Sequence, residues 1–352
     1  MVLMVIDHVR VYAGVPAGGP TAGVFFTRWV MHFCAPAFVF FAGTAAFLYA
    51  RTAVSTGALR TFLISRGLLL VVLELTVIRA CWTFNLDYSQ FVLAGVIWMI
   101  GWCMVLLAAL VGLEARTVGI IGLVIMGAQQ VFGVPRLGFW WEFIYPSGFE
   151  ADGPIVVLYT LVPWIGVMAA GYGFGAIVTR DGAARDRWCR RVGLTAVAAF
   201  LLSAVAVILT TPADAGWQRR IFQALNPSKY PAVQPFLLMT LGPAIALVPL
   251  AEQATGVVAR VLTMFGRVPM FFYLLHIPLI HVLALMVGQT RDGAVHHEWF
   301  NTAPYASVPP EHRWSLPLLY AIFLLTVALL YPACRWFAAL KDRHRWPWLR
   351  LV

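Results

Sequence analysis

The chain has 352 residues, of which 61% are hydrophobic and only 11% are charged, and its mean hydropathy is +0.82. Soluble domains contain about 25% charged residues, so this composition excludes a soluble globular or disordered protein and indicates a polytopic membrane protein. The net charge of +10 has a membrane explanation, because cytoplasmic loops collect Lys and Arg, and we expect no nucleic-acid partner.

Apolar segments long enough to cross a bilayer recur along the whole chain. A helix that spans about 30 Å of hydrocarbon needs about 20 apolar residues. Nine segments come close to this length: Val24–Ala50, Phe62–Trp82, Phe91–Leu113, Val118–Val134, Pro154–Val178, Val192–Thr210, Pro235–Ala251, Pro269–Val287 and Leu316–Phe337. The short opening segment Met1–Ala13 would be a tenth, truncated helix. We therefore predict an all-α integral membrane bundle of about ten transmembrane helices, forming a single domain over residues 1–352.

The loops between these segments differ in charge. If the first segment runs outward from the cytoplasm, most of the 25 Lys and Arg residues lie in cytoplasmic loops, as membrane proteins prefer. Both termini are then cytoplasmic. The opposite loops are rich in aromatic residues, which favours either an interfacial belt or a platform for sugar rings. Gly256–Arg267 is a predicted amphipathic helix on the inner face.

Ionisable residues within apolar segments are candidate functional residues, because a charge inside a bilayer costs several kcal/mol. They occur as Asp7 and His8, Arg28 and His32, Glu74 and Arg79, and His276 and His281. Each pair also has a structural interpretation. The two late histidines could be interhelical hydrogen-bond donors, Glu74 and Arg79 could form ion pairs, and Arg28 could reach the outer headgroups.

Six stretches of the sequence together resemble one family. They are "LMVIDHVR", "FFTRWVMHFCAPAFVFFAGTAAFLYA", "SRGLLLVVLELTVIRACWTFNLDY", "NPSKYPAVQPFLLMTLGP", "PMFFYLLHIPLIHVLAL" and "LLYPACRWFAALKDRHRWPWLRLV". In this order they resemble the bacterial branch of the heparan-alpha-glucosaminide N-acetyltransferase catalytic-domain family. That family is distantly similar to the acyltransferase-3 membrane proteins, and His8 falls where their first helix carries a histidine.

The resemblance implies an acyltransferase of the bacterial inner membrane. It would move an acyl group, expected to be acetyl, from cytosolic acetyl-CoA to a sugar or glycan amine or hydroxyl at the outer face, without a metal. Family members usually have an Asp-x-x-Arg-Gly-like stretch before "LMVIDH", so we expect the first helix to be truncated. The loop "AGVPAGGPTAGVFF" has no histidine, so the acetyl-histidine proposed for the eukaryotic enzyme is not expected there.

The predicted site follows from the need for a base, because an attacking amine or hydroxyl must lose a proton. We expect His8 to be this base, oriented by Asp7, with His32 as the alternative. Arg28, Arg79 or Lys229 would stabilise the thioester oxyanion or bind the CoA phosphates. The full set of predicted substrate and CoA contacts is Arg28, Glu74, Arg79, Asn85, Asp87, Lys229, Tyr230, His276 and His281. Two alternative functions stay open: a small-anion or proton-coupled transporter, and an inactive truncated member. The chain could also form a homodimer.

Overall fold

The computed structural model describes residues 1–19, 21–128, 143–144, 154–212, 214 and 216–344. The α-helices are, in chain order, α1 (Val2–Tyr12), α2 (Ala22–Trp29), α3 (Cys34–Ala50), α4 (Thr56–Leu73), α5 (Arg79–Thr83), α6 (Val96–Leu110), α7 (Ala115–Ala128), α8 (Trp164–Val178), α9 (Gly182–Thr210), α10 (Trp217–Leu225), α11 (Gln234–Ala246), α12 (Val248–Gln253), α13 (Gly256–Arg267), α14 (Pro269–Asp292) and α15 (Leu316–Arg343). The mostly helical architecture is confirmed.

Six helical segments in the described part of the chain are long and apolar enough to cross a membrane. They are Ala22–Ala50, Thr56–Thr83, Gly182–Thr210, Gln234–Gln253, Pro269–Asp292 and Leu316–Arg343. Each coincides with a predicted span. Three shorter apolar helices, α6, α7 and α8, lie where three further spans were predicted, although the predicted span Val118–Val134 continues beyond the described residues. The count of about ten spans therefore stays a prediction.

Two of the long helical segments are each interrupted by a turn that is not α-helical. In Ala22–Ala50, a 3-10 turn at Val30–Phe33 separates α2 from α3. In Thr56–Thr83, a π-helical turn at Glu74–Ile78 separates α4 from α5. Such π turns within α-helices occur frequently at functional sites. His32 and Glu74 both lie in these irregular turns.

The chain forms two compact units. The first consists of Met1–Cys34, Thr76–Tyr88 and Ala254–Val352, and it contains α1, α2, α5, α13, α14 and α15. The predicted amphipathic helix is confirmed as α13, with the predicted bounds. Its Val257, Val258 and Leu262 side chains are exposed, whereas Phe265 is buried. A single domain over residues 1–352 stays a prediction.

The second unit consists of Ala35–Leu75 and Ser89–Gln253. Glycine lets its helices approach closely: a Cβ atom on Gly67 of α4 would lie 2.5 Å from the carbonyl oxygen of Gly101 on α6, and Gly119 of α7 lies against Gly173 of α8. Small residues at helix contacts are typical of membrane bundles. A short parallel pair of strands, β1 (Val92–Ala94) and β2 (Ile155–Val157), joins Val92 to Ile155 in register.

Candidate functional site

A pair of histidine side chains forms the centre of the candidate site in the first unit. His8 lies on α1 and His276 on α14, and the Nδ1 atom of His8 lies 2.7 Å from the Nε2 atom of His276. The rings are nearly parallel, with centroids 4.8 Å apart and an interplanar angle of 20°. His276 is fully buried, whereas His8 is partly exposed. Of the two rings, His8 is therefore the one that solvent or a substrate can reach.

The hydrogen bonds of His276 determine which nitrogen carries the proton in each neutral ring. Its Nδ1 atom lies 2.7 Å from the carbonyl oxygen of Tyr273 and 3.1 Å from that of Phe272. A carbonyl oxygen can only accept, so this Nδ1 is the donor and Nε2 of His276 is an acceptor. His8 must then donate from Nδ1, which leaves the lone pair of its neutral ring on Nε2. The pair thus presents an unprotonated nitrogen on its accessible member.

Aromatic side chains surround the His8 ring. The ring centroid of Trp82 lies 4.7 Å from that of His8 in an edge-on arrangement, and that of Tyr273 lies at 6.4 Å. The hydroxyl of Tyr12, one turn after His8 on α1, donates to the carbonyl oxygen of Trp82 at 2.6 Å. These contacts hold α1 against α5 and restrict the orientation of the imidazole.

The carboxylate of Asp7 pairs with a neighbouring arginine on α1. Its Oδ1 atom lies 2.8 Å from Nε of Arg10, and Arg10 also donates to the carbonyl oxygen of Val15 at 2.7 Å. This network connects the end of α1 to the following loop. The orienting hydrogen bond on Nδ1 of His8 goes to His276, and the predicted role of Asp7 stays a prediction.

His281 lies five residues after His276 on α14 but in a different environment. Its ring stacks on Phe84, with centroids 3.8 Å apart, and contacts Tyr12 and Phe300 at 5.0 and 5.3 Å. The Nδ1 atom is 3.5 Å from the carbonyl oxygen of Cys81, and Nε2 is buried without a hydrogen-bond partner in the described part of the chain. His281 therefore occupies an aromatic cage.

Arg79 is brought together with Asn85 and Asp87, and it contacts the backbone of both residues. The buried guanidinium donates to the carbonyl oxygens of both residues and lies 4.5 Å from the ring centroid of Tyr88. The side chain of Asn85 accepts from the amide of Asp87 at 2.7 Å. Arg79 thus folds the segment after α5 back onto the helix, which is a structural contact, and its predicted substrate role stays a prediction.

The other predicted residue pair of the first unit lies near the start of the long segment Ala22–Ala50. Arg28, in the last turn of α2, is partly exposed. His32 is buried in the 3-10 turn that follows. The sequence predicts one continuous helix over both residues, whereas the structure ends α2 at Trp29 and places His32 within the 3-10 turn. The predicted roles of Arg28 and His32 at the site stay predictions.

Glu74 belongs to the second unit, where it caps a helix. Its buried Oε2 atom accepts from the backbone amides of Ile97 and Trp98 at 2.9 and 3.3 Å, at the beginning of α6. The first amides of a helix have no intrahelical partner, and a carboxylate near them is favourable. A Cβ atom on Gly95 would lie 2.5 Å from Oε1 of Glu74, so the glycine makes room for this cap.

Lys229 and Tyr230 also lie in the second unit. The Nζ atom of Lys229 is buried 5.5 Å from the ring centroid of Tyr159 and 5.1 Å from that of Tyr230. The two tyrosine hydroxyls are 3.2 Å apart. Among the described residues, no carboxylate forms an ion pair with this lysine. A buried ammonium over two aromatic faces suits an anionic ligand.

Sequence reasoning missed the aromatic neighbours of the histidines. Tyr12 and Trp82 were counted only as apolar residues, although Tyr12 lies one helical turn after His8 and therefore shares its face. Tyr273, three residues before His276, shares a face with it in the same way. This spacing was the available signal. No group of three or more His, Cys, Asp or Glu side chains suited to a metal occurs in the described ranges.

Comparison with known proteins identifies a family. A family model described as "Heparan-alpha-glucosaminide N-acetyltransferase, catalytic" matches residues 1–205, which is more than half of the chain. A search among curated proteins finds no significant match. The matched range includes His8 with its neighbours Asp7, Tyr12 and Trp82, and it ends before His276.

Proposed function

The chain belongs to the heparan-alpha-glucosaminide N-acetyltransferase family, and from this premise we propose that it transfers an acetyl group from acetyl-CoA to an amine or hydroxyl group of a sugar or glycan. The observation that supports this activity is the His8–His276 pair, which presents an unprotonated imidazole nitrogen on a partly exposed ring. Acetyl transfer requires such a base. We propose that acetyl-CoA binds from the cytoplasmic side and that the acceptor is acetylated at the outer face.

In the proposed reaction, the acceptor nitrogen or oxygen attacks the carbonyl carbon of the thioester. A bond forms between the acceptor atom and that carbon, and the acceptor proton moves to Nε2 of His8. The positive charge then on His8 is stabilised through its Nδ1–H bond to Nε2 of His276, whose own Nδ1–H remains on the carbonyl oxygen of Tyr273. His276 thus acts as a positioning residue that selects the tautomer of the base.

The second half of the reaction returns the proton. As the tetrahedral intermediate collapses, the bond between carbon and sulfur breaks and the thiolate of CoA leaves. The imidazolium of His8 donates the proton to this sulfur, so that the ring ends neutral as it began. The products are the acetylated acceptor and CoA with a free thiol. The same nitrogen therefore acts first as general base and then as general acid.

Lys229 supplies a second, separate part of the proposal. Its buried ammonium lies over Tyr159 and Tyr230 without an ion-pair partner in the described chain. CoA carries several phosphate groups, and one of them would neutralise this charge. We propose Lys229 as a phosphate contact of the donor, with the two tyrosine rings holding the ammonium in place.

The test is acetyl transfer by the purified chain in detergent, with acetyl-CoA and a panel of amino sugars led by glucosamine. Release of the CoA thiol and the mass of the acetylated sugar are measured together. We expect His8→Gln to lower turnover by about 10²- to 10⁴-fold, the usual contribution of a general base, while the thermal unfolding midpoint stays close to that of the parent. His297→Gln, which changes an exposed histidine of the first unit, is the matched control and should keep full turnover.

Turnover should also depend on pH with a defined sign. The base must be neutral, so activity should fall as the pH is lowered through the titration of the histidine pair and should level off above it. Full turnover by His8→Gln would contradict the assignment of the base. A lack of thiol release with every acceptor, together with no stabilisation of the chain by acetyl-CoA, would contradict the proposed activity itself.

We further propose that the chain lies in a bacterial inner membrane with both termini in the cytoplasm. The proposal rests on the apolar helices and on the concentration of Lys and Arg in alternate loops. A reporter enzyme fused after Val352 that is active only in the cytoplasm should be active. Activity of an exported reporter at the same position would reverse the orientation.

A further inference from the structure

The second unit contains a large apolar groove that the proposed chemistry does not use. Its volume is about 760 Å³, within the range of about 300–1,000 Å³ that small-molecule sites occupy. Residues from α7, α8, α9 and α11 line it, and most of them are aliphatic or small, as are Leu123, Ala196 and Leu241. Ile120 and Leu123 are among the exposed apolar side chains, so the groove opens on its side.

The polar residues of the groove lie at its ends. Arg116 lies in the first turn of α7 and Arg180 follows the last turn of α8. These two helix ends are adjacent, because Gly119 of α7 lies against Gly173 of α8. The guanidinium of Arg180 is 5.3 Å from the ring centroid of Trp188, which also lines the groove. One end of the groove therefore carries two arginines.

The opposite end carries no charged lining residue in the described part of the chain. There the side-chain amide of Gln234 donates to the carbonyl oxygen of Gly127 at 3.3 Å. From Arg116 to Gly127, α7 rises about 16 Å at 1.5 Å per residue. This length is about half of the 30 Å hydrocarbon thickness of a bilayer. The apolar part of the groove thus has the length of one leaflet.

We propose that this groove binds one anionic phospholipid. One of its acyl chains lies along α7, and its phosphate contacts Arg116 and Arg180. The side opening admits the chain from the bilayer, and the guanidinium groups match the phosphate, with which arginine forms paired hydrogen bonds. An uncharged occupant would leave the two arginines unmatched, and a free phosphate would leave the apolar length unfilled. The length and the charge together favour a lipid with a phosphate headgroup.

The experiment is a lipid titration of the purified full-length chain in detergent, followed by thermal unfolding. Dioleoyl phosphatidylglycerol should raise the unfolding midpoint in a saturable manner, and dioleoyl phosphatidylcholine at the same concentration should raise it much less. The double variant Arg116→Gln/Arg180→Gln should weaken the apparent affinity for phosphatidylglycerol at least about tenfold. Arg190→Gln, which removes an exposed charge of α9 outside the groove, should leave that affinity unchanged.

A second pair of variants tests the chain-binding part of the groove. Ala196→Trp places a bulky side chain in the groove and should abolish the phosphatidylglycerol shift. Leu202→Trp, at an exposed position of the same helix outside the groove, should preserve it. These variants keep the proposal testable even if the double arginine variant does not fold.

Three results would overturn the proposal. Equal stabilisation by phosphatidylcholine would remove the need for the arginines. Equal stabilisation by glycerol phosphate, which is the headgroup without chains, would identify a soluble phosphate as the ligand. Displacement of phosphatidylglycerol by acetyl-CoA would assign the groove to the acetyl donor. None of these results depends on whether the chain transfers an acetyl group, so this test is independent of the proposed function.

Discussion

The His8–His276 pair of the first unit and Glu74 of the second unit are titratable side chains within apolar helices. Their hydrogen bonds are made in different ways. Glu74 accepts from two amides at the beginning of α6, so its Oε2 atom completes a helix terminus. The histidines form a chain of hydrogen bonds that runs from the carbonyl oxygen of Tyr273 through His276 to Nδ1 of the partly exposed His8 ring. Burial of a polar group in a membrane helix therefore does not by itself indicate function. Under the proposed function, the direction of the hydrogen bonds distinguishes the carboxylate that caps a helix from the proposed base.

Among the substitutions that test this comparison, we expect His276→Phe to have the largest effect, a loss of turnover. His276→Phe keeps an aromatic ring but removes the acceptor for Nδ1 of His8, so the base loses its fixed tautomer. We expect turnover to fall about 10- to 100-fold, as for other partners that fix an imidazole, with KM nearly unchanged. The measurement is kcat as a function of pH. His276→Gln, which retains an acceptor, should recover part of the loss, and equal activity of both variants with the parent would show that the pair is structural.

Arg79 should behave like Glu74 rather than like the histidines. Arg79→Gln removes the fork that holds the carbonyl oxygens of Asn85 and Asp87. Loss of such buried hydrogen bonds costs about 1–3 kcal/mol of unfolding free energy, so the thermal midpoint should fall. Turnover per folded molecule should be preserved. Arg79→Lys keeps the charge but not the two-pronged hydrogen bonding, and it should be nearly as destabilised as Arg79→Gln. A rise in the KM of Arg79→Gln for acetyl-CoA without a change in its unfolding midpoint would instead support the substrate role predicted from the sequence.

The sequence predicts the helices of this protein better than the contacts that their side chains make. Composition and apolar length predict the helical class and the location of the six long helices, and the pattern of Gly256–Arg267 predicts both ends of α13. Ionisable residues within apolar segments identify both His8 and His276 as candidates. The contact between them is not predictable from these rules, because 268 residues separate them and no periodicity reports on such a distance.

The structural roles were missed for a related reason. Glu74 accepts from backbone amides and Arg79 donates to backbone carbonyls, and every residue type supplies these atoms. A search for complementary side chains therefore does not find the helix cap that Glu74 forms or the contact of Arg79 with the loop after α5. The 3-10 turn at Val30–Phe33 and the π turn at Glu74–Ile78 have no periodic signature either, so a continuous helix was the prediction.

Glu74 itself gives a smaller effect than Arg79. Glu74→Ala removes the acceptor at the start of α6 and should lower the unfolding free energy by about 0.5–2 kcal/mol, the usual cost of losing a helix cap. Glu74→Gln keeps an oxygen of the same shape and should lose less. Thermal unfolding of the two variants provides the comparison. Both should turn over acetyl-CoA like the parent once corrected for folded protein, and a selective loss of turnover in Glu74→Gln would instead indicate a need for the charge.

The smallest expected effect lies at His281, which shares α14 with His276. Its ring stacks on Phe84, and its Nε2 atom has no hydrogen-bond partner among the described residues, although it is buried. His281→Phe keeps the aromatic contacts, removes the unsatisfied polar atom and loses only the 3.5 Å contact of Nδ1 with the carbonyl oxygen of Cys81. The unfolding free energy should therefore stay the same or rise by up to about 1 kcal/mol. Turnover should not change. A variant that unfolds at the parent temperature but transfers acetyl groups more slowly would show that Nε2 meets a substrate, and His281 would then belong with the reactive pair.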